Sequence, residues 1–322
     1  AVIFYTSGSS GQPKGVCLPH RAIYSYTRTA IETFQLTSSD NMLQFASIGF
    51  DTSLEELCPT NLSGGTLILR NEESLSSIQA FINFCHTYKL SVLDLPTAFW
   101  HTLTIDMQRD PALRLPAGIR LVIVGGEKAS PEHLATWRTL APHDMTLLNT
   151  YGPTETTIVA VNCAIAGPNA VVRSELAPIG TPVASARVYV VDQYNQLAPV
   201  GIPGELLIAG PQVASGYVGL AEETAVKFTP DPFAETGNVY RTGDRVRFLD
   251  DGILQFVGRT DRQIKIRGYR IEPETLEQLL NQHEAIADTA VTTQPDSQNQ
   301  PQIVAYLIPK NSSIPDQQTL VT

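Results

Sequence analysis

Tyr5-Thr6-Ser7-Gly8-Ser9-Ser10-Gly11-Gln12-Pro13-Lys14-Gly15 follows the short apolar run Ala1 to Phe4. The local reading is a strand that ends in a loop. Four Ser and Thr hydroxyls, three glycines and one lysine offer hydroxyl and backbone N–H donors plus a point positive charge, which is what phosphate oxygens need from a protein. A P-loop puts its lysine directly after a glycine and follows it with Ser or Thr at a helix start. Here Gln12 and Pro13 separate Gly11 from Lys14, and Gly15 follows, so that pattern is excluded. A flexible Ser/Gly linker is the plain alternative; the leading Tyr5-Thr6 and the embedded Pro13-Lys14-Gly15 speak against it.

A chain of 322 residues is long enough for about two domains of ordinary size. Hydrophobic residues make up 43% and charged residues 17%, a globular composition. The net charge of -10 argues against a nucleic-acid partner held through phosphates. Cys17, Cys58, Cys85 and Cys163 lie far apart in sequence and fit no metal-ligand spacing, so reduced thiols and a cytoplasmic location are expected. No apolar run approaches the roughly 18 residues needed to cross a bilayer, and the opening residues do not show a basic start followed by an apolar segment and a cleavage site. The first residues already read as a core strand without an initiator methionine, so a piece of a longer protein is expected.

Downstream of the loop, Pro19 to Thr33 reads as a helix. In Phe50-Asp51-Thr52-Ser53-Leu54-Glu55-Glu56-Leu57, a helix starting near Asp51 or Ser53 places Asp51 and Glu55 on one face. Solvated charges favoured by the helix dipole are the alternative reading of those acids. Strands are expected at Thr66 to Leu69, Ser91 to Leu95, Leu121 to Val124 and Thr146 to Leu148. Helices are expected through Ile78, Phe81, Ile82 and Cys85, from Thr97 to Met107, and after Ser130-Pro131 with Leu134, Trp137 and Leu140 on one face.

This alternation predicts right-handed crossovers and a parallel sheet, with ligands bound beyond the carboxyl ends of the strands. Those ends carry Asp94, then Gly125-Gly126-Glu127, then Asn149-Thr150-Tyr151-Gly152-Pro153-Thr154-Glu155. Taken singly, each has a structural explanation: a Gly turn, a half-buried tyrosine, a helix cap. Their convergence on one edge, facing a phosphate-type loop, points to a ligand site.

From about Val171 the pattern changes to short strands broken by Gly and Pro. Arg187 to Val191 and Glu205 to Ile208 flank a turn-rich segment, which predicts hairpins in a small antiparallel barrel or distorted sheet. Asp244, in Tyr240-Arg241-Thr242-Gly243-Asp244, suits vicinal sugar hydroxyls because a carboxylate accepts two hydrogen bonds at once. Gly258 to Glu272 is the most basic stretch, with Lys265 and Arg267 alternating with Ile264 and Ile266, a pattern also expected of an edge strand. A helix around Leu276, Leu279 and Leu280 and a strand from Ile303 to Ile308 follow, with Gln294 to Gln302 read as a polar loop. The expected organisation is an α/β unit over 1–170, a β-rich subdomain over 171–260 and an incomplete small α+β domain over 261–322.

Together these segments resemble the adenylation domains of nonribosomal peptide synthetases, within the adenylate-forming superfamily that includes acyl-CoA ligases and luciferases. One departure in the loop is Ser10, where that family has threonine; the hydroxyl is kept. The resemblance implies a large domain that holds ATP and the acid. It also implies a small domain that rotates about a hinge at Asp261 to serve adenylation and then transfer to a phosphopantetheine thiol.

By position, Thr6, Ser7, Gly8, Ser9, Ser10, Gly11 and Lys14 would hold the β- and γ-phosphates, and Gly126, Glu127, Asn149, Tyr151 and Gly152 would line the nucleotide, with Tyr151 against adenine. Thr154 would contact the α-phosphate, Glu155 would bind Mg²⁺, Asp244 the ribose hydroxyls, and Arg259 would support the nucleotide. Thr154, Glu155 and Lys14 would be the catalytic set. Asp51 matches the partner of a substrate α-ammonium group, and Thr52, Glu55, Asp94, Ile123, Gly125, Thr150, Ile158 and Val159 match the side-chain pocket.

Glu55 and Asp94 are costly to bury without a counter-charge, so the expected substrate is a basic amino acid, arginine first, then lysine or ornithine. A neutral polar substrate is expected instead if one carboxylate faces solvent. The family's catalytic lysine, expected near the end of the small domain, has no counterpart before Thr322; Lys265 matches a small-domain loop instead. Expected partners are a peptidyl carrier domain and a condensation domain, with no nucleic acid and no membrane. The alternatives are an acyl-CoA or aryl-acid ligase of the same superfamily and a non-catalytic nucleotide-binding remnant.

Overall fold

The computed structural model describes residues 2–8, 13–171, 177–266, 269–295 and 301–310. The expectations at Ser9, Ser10, Gly11 and Arg267 therefore lie outside the described residues. The chain opens with a hairpin, β1 (Val2–Thr6) antiparallel to β2 (Lys14–Leu18). Lys14 thus stands in a strand opposite Thr6 instead of in the loop. Helix α1 (His20–Phe34) follows, then β3 (Asn41–Gln44), α2 (Thr52–Leu62) and β4 (Thr66–Leu69). Three βα repeats come next: α3 (Ile78–Thr87), β5 (Val92–Pro96), α4 (Thr97–Arg109), β6 (Leu121–Gly125), α5 (Pro131–Leu140) and β7 (Thr146–Tyr151).

Strands β4-β3-β5-β6-β7 run parallel, as the alternation predicts. The seven-stranded sheet is completed by β8 (Val161–Ala166) and β9 (Thr181–Pro182), both antiparallel. The sheet is therefore mixed rather than purely parallel. Residues 152–160 hold only a short 3₁₀ turn, too little for the crossover that a parallel neighbour needs. One face of the sheet packs on α3, α4 and α5 through Phe81, Trp100, Leu103 and Trp137, all buried. The other packs on α1 through Tyr26, Ala30 and Phe34 and on the next sheet through Val190, Leu206 and Val246.

That next sheet is five-stranded: β10 (Arg187–Val191), β11 (Gly204–Ala209), β12 (Phe228–Pro230), β13 (Asn238–Phe248) and β14 (Leu254–Arg259), with α6 (Ala221–Lys227) before β12. The opening hairpin packs against it, placing Phe4, Val16 and Leu18 on Tyr217, Phe228 and Tyr240. The C-terminal region holds the hairpin β15 (Ile264–Ile266) and β16 (Tyr269–Ile271), helix α7 (Pro273–Asn281) and the hairpin β17 (Ile286–Pro295) and β18 (Pro301–Pro309). Gln294 pairs with Gln302 in that last hairpin, so the expected polar loop is at its ends two strands.

A close backbone approach lies at the end of β7. A Cβ on Gly152 would sit 2.1 Å from the Ile158 carbonyl oxygen and 2.8 Å from the Val159 Cα, so only glycine lets residues 158–160 lie against the strand. Gly152→Ala is expected to cost at least about 2 kcal/mol and to lower the melting midpoint by several degrees. Gly258→Ala, where nothing lies within 4 Å, should leave it within about a degree.

Candidate functional site

The carboxyl ends of β5, β6 and β7 present Asp94, Gly125 and Asn149 through Tyr151 on one edge. In front of them lies a cavity of about 840 Å³ whose lining includes Gly126, Glu127, Asn149, Thr150, Tyr151, Gly152, Asp244, Arg259 and Lys265. The residues expected along a nucleotide base and ribose are thus brought together from three separate regions of the chain. The Tyr151 hydroxyl donates to Asp244 Oδ2. Arg259 Nη1 reaches Asp244 Oδ1 at 2.5 Å, and its other donors hold Asp261 at 2.6 and 2.8 Å. Behind the lining, the Thr97 hydroxyl donates to the Gly125 carbonyl at 2.9 Å, and Asn149 Nδ2 to the Pro178 carbonyl at 2.8 Å.

Glu155 stands in the 3₁₀ turn after β7 with 0% exposure. Its Oε1 accepts the Tyr217 hydroxyl at 2.8 Å and Arg270 Nη1 at 3.0 Å. Burial alone would raise this carboxyl, but the Arg270 charge, helped by Tyr217 and Tyr240, holds it below the ordinary carboxylate value. Arg270 is bound to the opening hairpin as well: its carbonyl accepts the Ser7 hydroxyl at 2.7 Å, and Thr275 donates to the Gly8 carbonyl at 2.8 Å. Lys14 pairs with Glu223 and lies 5.7 Å over the Tyr217 ring. It is not among the residues lining the large cavity; Tyr217, under its ammonium group, connects it to Glu155.

The donor set fits a hard cation bridged to phosphate oxygens. Glu155 Oε2 is buried without a hydrogen-bond partner, and so is Thr6 Oγ1; Mg²⁺ takes one or two carboxylates and fills its remaining positions with phosphate oxygens and water.

A second group of acids lies under the same edge. Asp51 caps α2 by accepting the Thr52 N–H at 3.0 Å. Burial raises its pKa, while the Thr154 hydroxyl and the Thr52 N–H hold it back. Glu55 (2% exposed) accepts the Tyr26 hydroxyl at 2.7 Å. Asp94 (5% exposed) has one oxygen, Oδ2, with no partner. Burial first, and then the neighbouring acids, pushes Asp94 up strongly. Burial and the Asp51 charge lift Glu55 to about 8 against the pull of Tyr26. Ile123, Ile158 and Val159 are buried beside this group in one apolar cluster, while the Thr150 hydroxyl donates to the Val124 carbonyl at 3.1 Å.

Gly125 lies against Thr150, where a Cβ would meet the hydroxyl at 2.5 Å. Lys265, an exposed residue that lines the cavity, feels both groups: partial loss of water around its ammonium end lowers its pKa, opposed by Asp244 and, less strongly, Asp51.

Comparison with known proteins places this arrangement. Residues 1–218 match the family model described as AMP-binding enzyme. The chain belongs to the AMP-binding enzyme family. Among its relatives, this AMP-binding chain is 39% identical over 310 residues to an isonitrile lipopeptide synthase of Streptomyces coeruleorubidus, covering 96% of this chain and 20% of that protein. It is 38% identical over 314 residues to tyrocidine synthase 3 of Brevibacillus parabrevis, covering 97% of this chain and 5% of that protein. It thus spans a fifth or less of the length of these curated relatives.

Among solved structures, an artificially fused adenylation–PCP di-domain NRPS from Klebsiella oxytoca superposes with a TM-score of 0.83 at 25% identity, over 99% of this chain and 56% of that one. A four-domain nonribosomal peptide synthetase bound to AMP and glycine gives 0.72 at 29%, over 98% and 22%. The resemblance drawn from the motifs and the α/β fold class agree with these relatives.

Tyr26, Tyr217, Tyr240 and Arg270 were not singled out by sequence. Arg270 lies in the basic Gly258 to Glu272 stretch, which was a usable signal; Tyr26 and Tyr217 gave none, and Tyr240 opens the Tyr240 to Asp244 segment that was read for Asp244 alone. Replacing Arg270 by Met leaves Glu155 buried without its cation, which costs about 3–5 kcal/mol at neutral pH. Because the folded pKa of Glu155 is depressed, the stability it contributes is present above the unfolded carboxylate value and lost as pH falls through the folded one. The gap in denaturant midpoint between the parent and Arg270→Met should therefore be largest near pH 7 and narrow towards pH 4.

Proposed function

We propose that this chain activates an amino acid with ATP, forming an aminoacyl adenylate and releasing pyrophosphate, for loading onto the phosphopantetheine thiol of a carrier domain. In this reading adenine lies against Tyr151, the ribose hydroxyls meet Asp244 with Arg259 behind it, and the phosphates extend towards Thr154, the hairpin loop and Lys14. Glu155, which follows Thr154 in the 3₁₀ turn and has Oε2 without a partner, would hold Mg²⁺; the ion, when bound, offsets charge on the phosphate oxygens. The substrate carboxylate attacks the α-phosphorus, the mixed anhydride forms, and pyrophosphate leaves. Thr154 and the loop donors stabilise the charge that gathers on phosphate oxygens during that step. Asp51 receives the α-ammonium group. A condensation domain in the longer protein would use the loaded carrier.

The side chain is basic, arginine first and then lysine or ornithine. One observation carries this choice: Glu55 and Asp94 are both buried, and Asp94 Oδ2 has no partner. An apolar or neutral substrate would leave those acids to stay protonated or to pay the desolvation cost, whereas a guanidinium offers donors that match paired oxygens.

Amino-acid-dependent pyrophosphate exchange on the intact protein tests the proposal. Arginine should give the highest rate and leucine and phenylalanine the lowest, and Glu55→Gln should cut arginine exchange at least about tenfold, consistent with loss of one charge-assisted contact. Preference for leucine, unchanged in Glu55→Ala, contradicts it.

The raised pKa of Glu55 gives a second test. A carboxyl lifted to about 8 when folded is protonated in the folded state and ionised in the unfolded state at neutral pH, so it lowers stability increasingly as pH rises from its unfolded value towards 8. Glu55→Gln, which mimics the neutral acid, should melt at a higher temperature than the parent at pH 8 and at nearly the same temperature at pH 4.5.

A further inference from the structure

The segment after Glu155 is held in a conformation that its sequence disfavours. Thr157 and Ile158 are both β-branched, and both have positive φ, 56° and 71°; such residues are outliers in the left-handed region, and strain of this kind persists only where the surroundings over-determine it. The surroundings that do so come from residues 210–214, the turn after β11. The Thr157 hydroxyl donates to the Gln212 carbonyl at 2.6 Å, and Gln212 Nε2 donates to the Val159 carbonyl at 3.0 Å. The Ser185 hydroxyl donates to Gln212 Oε1 at 2.5 Å, and the Ala214 N–H bonds the Glu155 carbonyl at 2.9 Å. Gln212 has 0% exposure. The turn itself cannot slide: a Cβ on Gly210 would lie 2.4 Å from the Ser185 carbonyl oxygen.

We infer that Gln212 is a positioning residue, which pins the strained turn so that Glu155 and the pocket residues Ile158 and Val159 are held in register with each other. Its side-chain amide satisfies one group on each side, Val159 on the first sheet's edge and Ser185 before β10, so neither neighbour can supply both bonds in its place. Without it the Val159 carbonyl and the Ser185 hydroxyl are buried unpaired, and the turn is free to relax out of the left-handed region. The relaxation moves the Ile158 and Val159 side chains, and hence the amino-acid pocket, more than it moves Tyr151, Asp244 and Arg259, which are fixed by their own bonds.

The functional part of this inference rests on the amino-acid reading above; the structural part does not, so the two are tested apart. Hydrogen exchange of the unliganded full chain is compared for the parent, Gln212→Leu and Ser185→Ala. The expected result is exchange at least about tenfold faster at the amides of 156–160 in Gln212→Leu, less in Ser185→Ala, with the amides of β5 and β6 unchanged. Unchanged protection at 156–160, or a uniform loss through β5 and β6, overturns the inference.

On the same proteins, pyrophosphate exchange across an amino-acid panel is expected to show at least about a tenfold rise in amino-acid KM. The ratio of rates between basic and neutral amino acids should shift, and the KM for ATP should change less than about twofold. An unaltered ratio with equal losses towards all amino acids and ATP marks a merely structural glutamine and also overturns the inference. A parent without amino-acid-dependent exchange contradicts the proposed function alone, and the amide protection at 156–160 then decides whether Gln212 pins the turn.

Discussion

Glu155 is a carboxylate with no access to water, and a charge in that position is tolerable only if cations and hydroxyls surround it. Arg270 and Tyr217 meet one of its oxygens, and the other is left open. The consequences spread from this point. Arg270 carries the β15–β16 hairpin onto the site, its carbonyl holds Ser7 of the opening hairpin, and Tyr217 lies under Lys14. A single buried acid thus gathers the opening hairpin, the second sheet and the C-terminal region around the edge of the first sheet. The same acid is where a divalent cation would enter with a polyphosphate, so the groups that stabilise this arrangement and those that would bind nucleotide overlap.

The acids under the sheet edge pose a different electrostatic problem. Glu55, Asp94 and Glu56 are buried within one region, and each has its pKa raised first by loss of water. Glu56 accepts the Phe45 and Ala46 N–H groups at 2.9 Å on Oε1, which organises the turn after β3, while its Oε2 is buried without a partner. Glu55 has only Tyr26 on Oε1, and Asp94 has an oxygen with nothing. Lys265 stands between this group and Asp244, which places one protein cation near the junction of the two halves of the site.

Much of this was legible in the sequence because the fold is written in local periodicity. The βα repeats from Thr66 to Tyr151 announced themselves by alternating apolar runs, and the carboxyl-terminal parts of the strands with the loops after them carried Asp94, Gly125 to Glu127 and Asn149 to Glu155 to one edge. What was not legible depended on contacts between distant segments. Nothing local says that β8 should turn antiparallel; that follows from the short 3₁₀ turn in place of a crossover helix. Lys14 read as a loop residue because its partner strand is only visible once Thr6 is seen opposite it. The roles of Tyr26, Gln212 and Arg270 come from side chains meeting across 29, 53 and 115 positions respectively, separations at which sequence pattern carries no information.

The central claim is that nucleotide and amino acid meet at Thr154 and Glu155, with the side chain directed between Glu55 and Asp94. A crystal structure of the intact protein with the non-hydrolysable adenylate analogue of arginine, its sulfamoyl adenosine, tests this most directly. The account predicts adenine against Tyr151, the ribose hydroxyls on Asp244, the α-ammonium group on Asp51 and the guanidinium within hydrogen-bonding distance of both Glu55 and Asp94. A guanidinium that points to solvent, with those two carboxylates still buried and unmet, would contradict it.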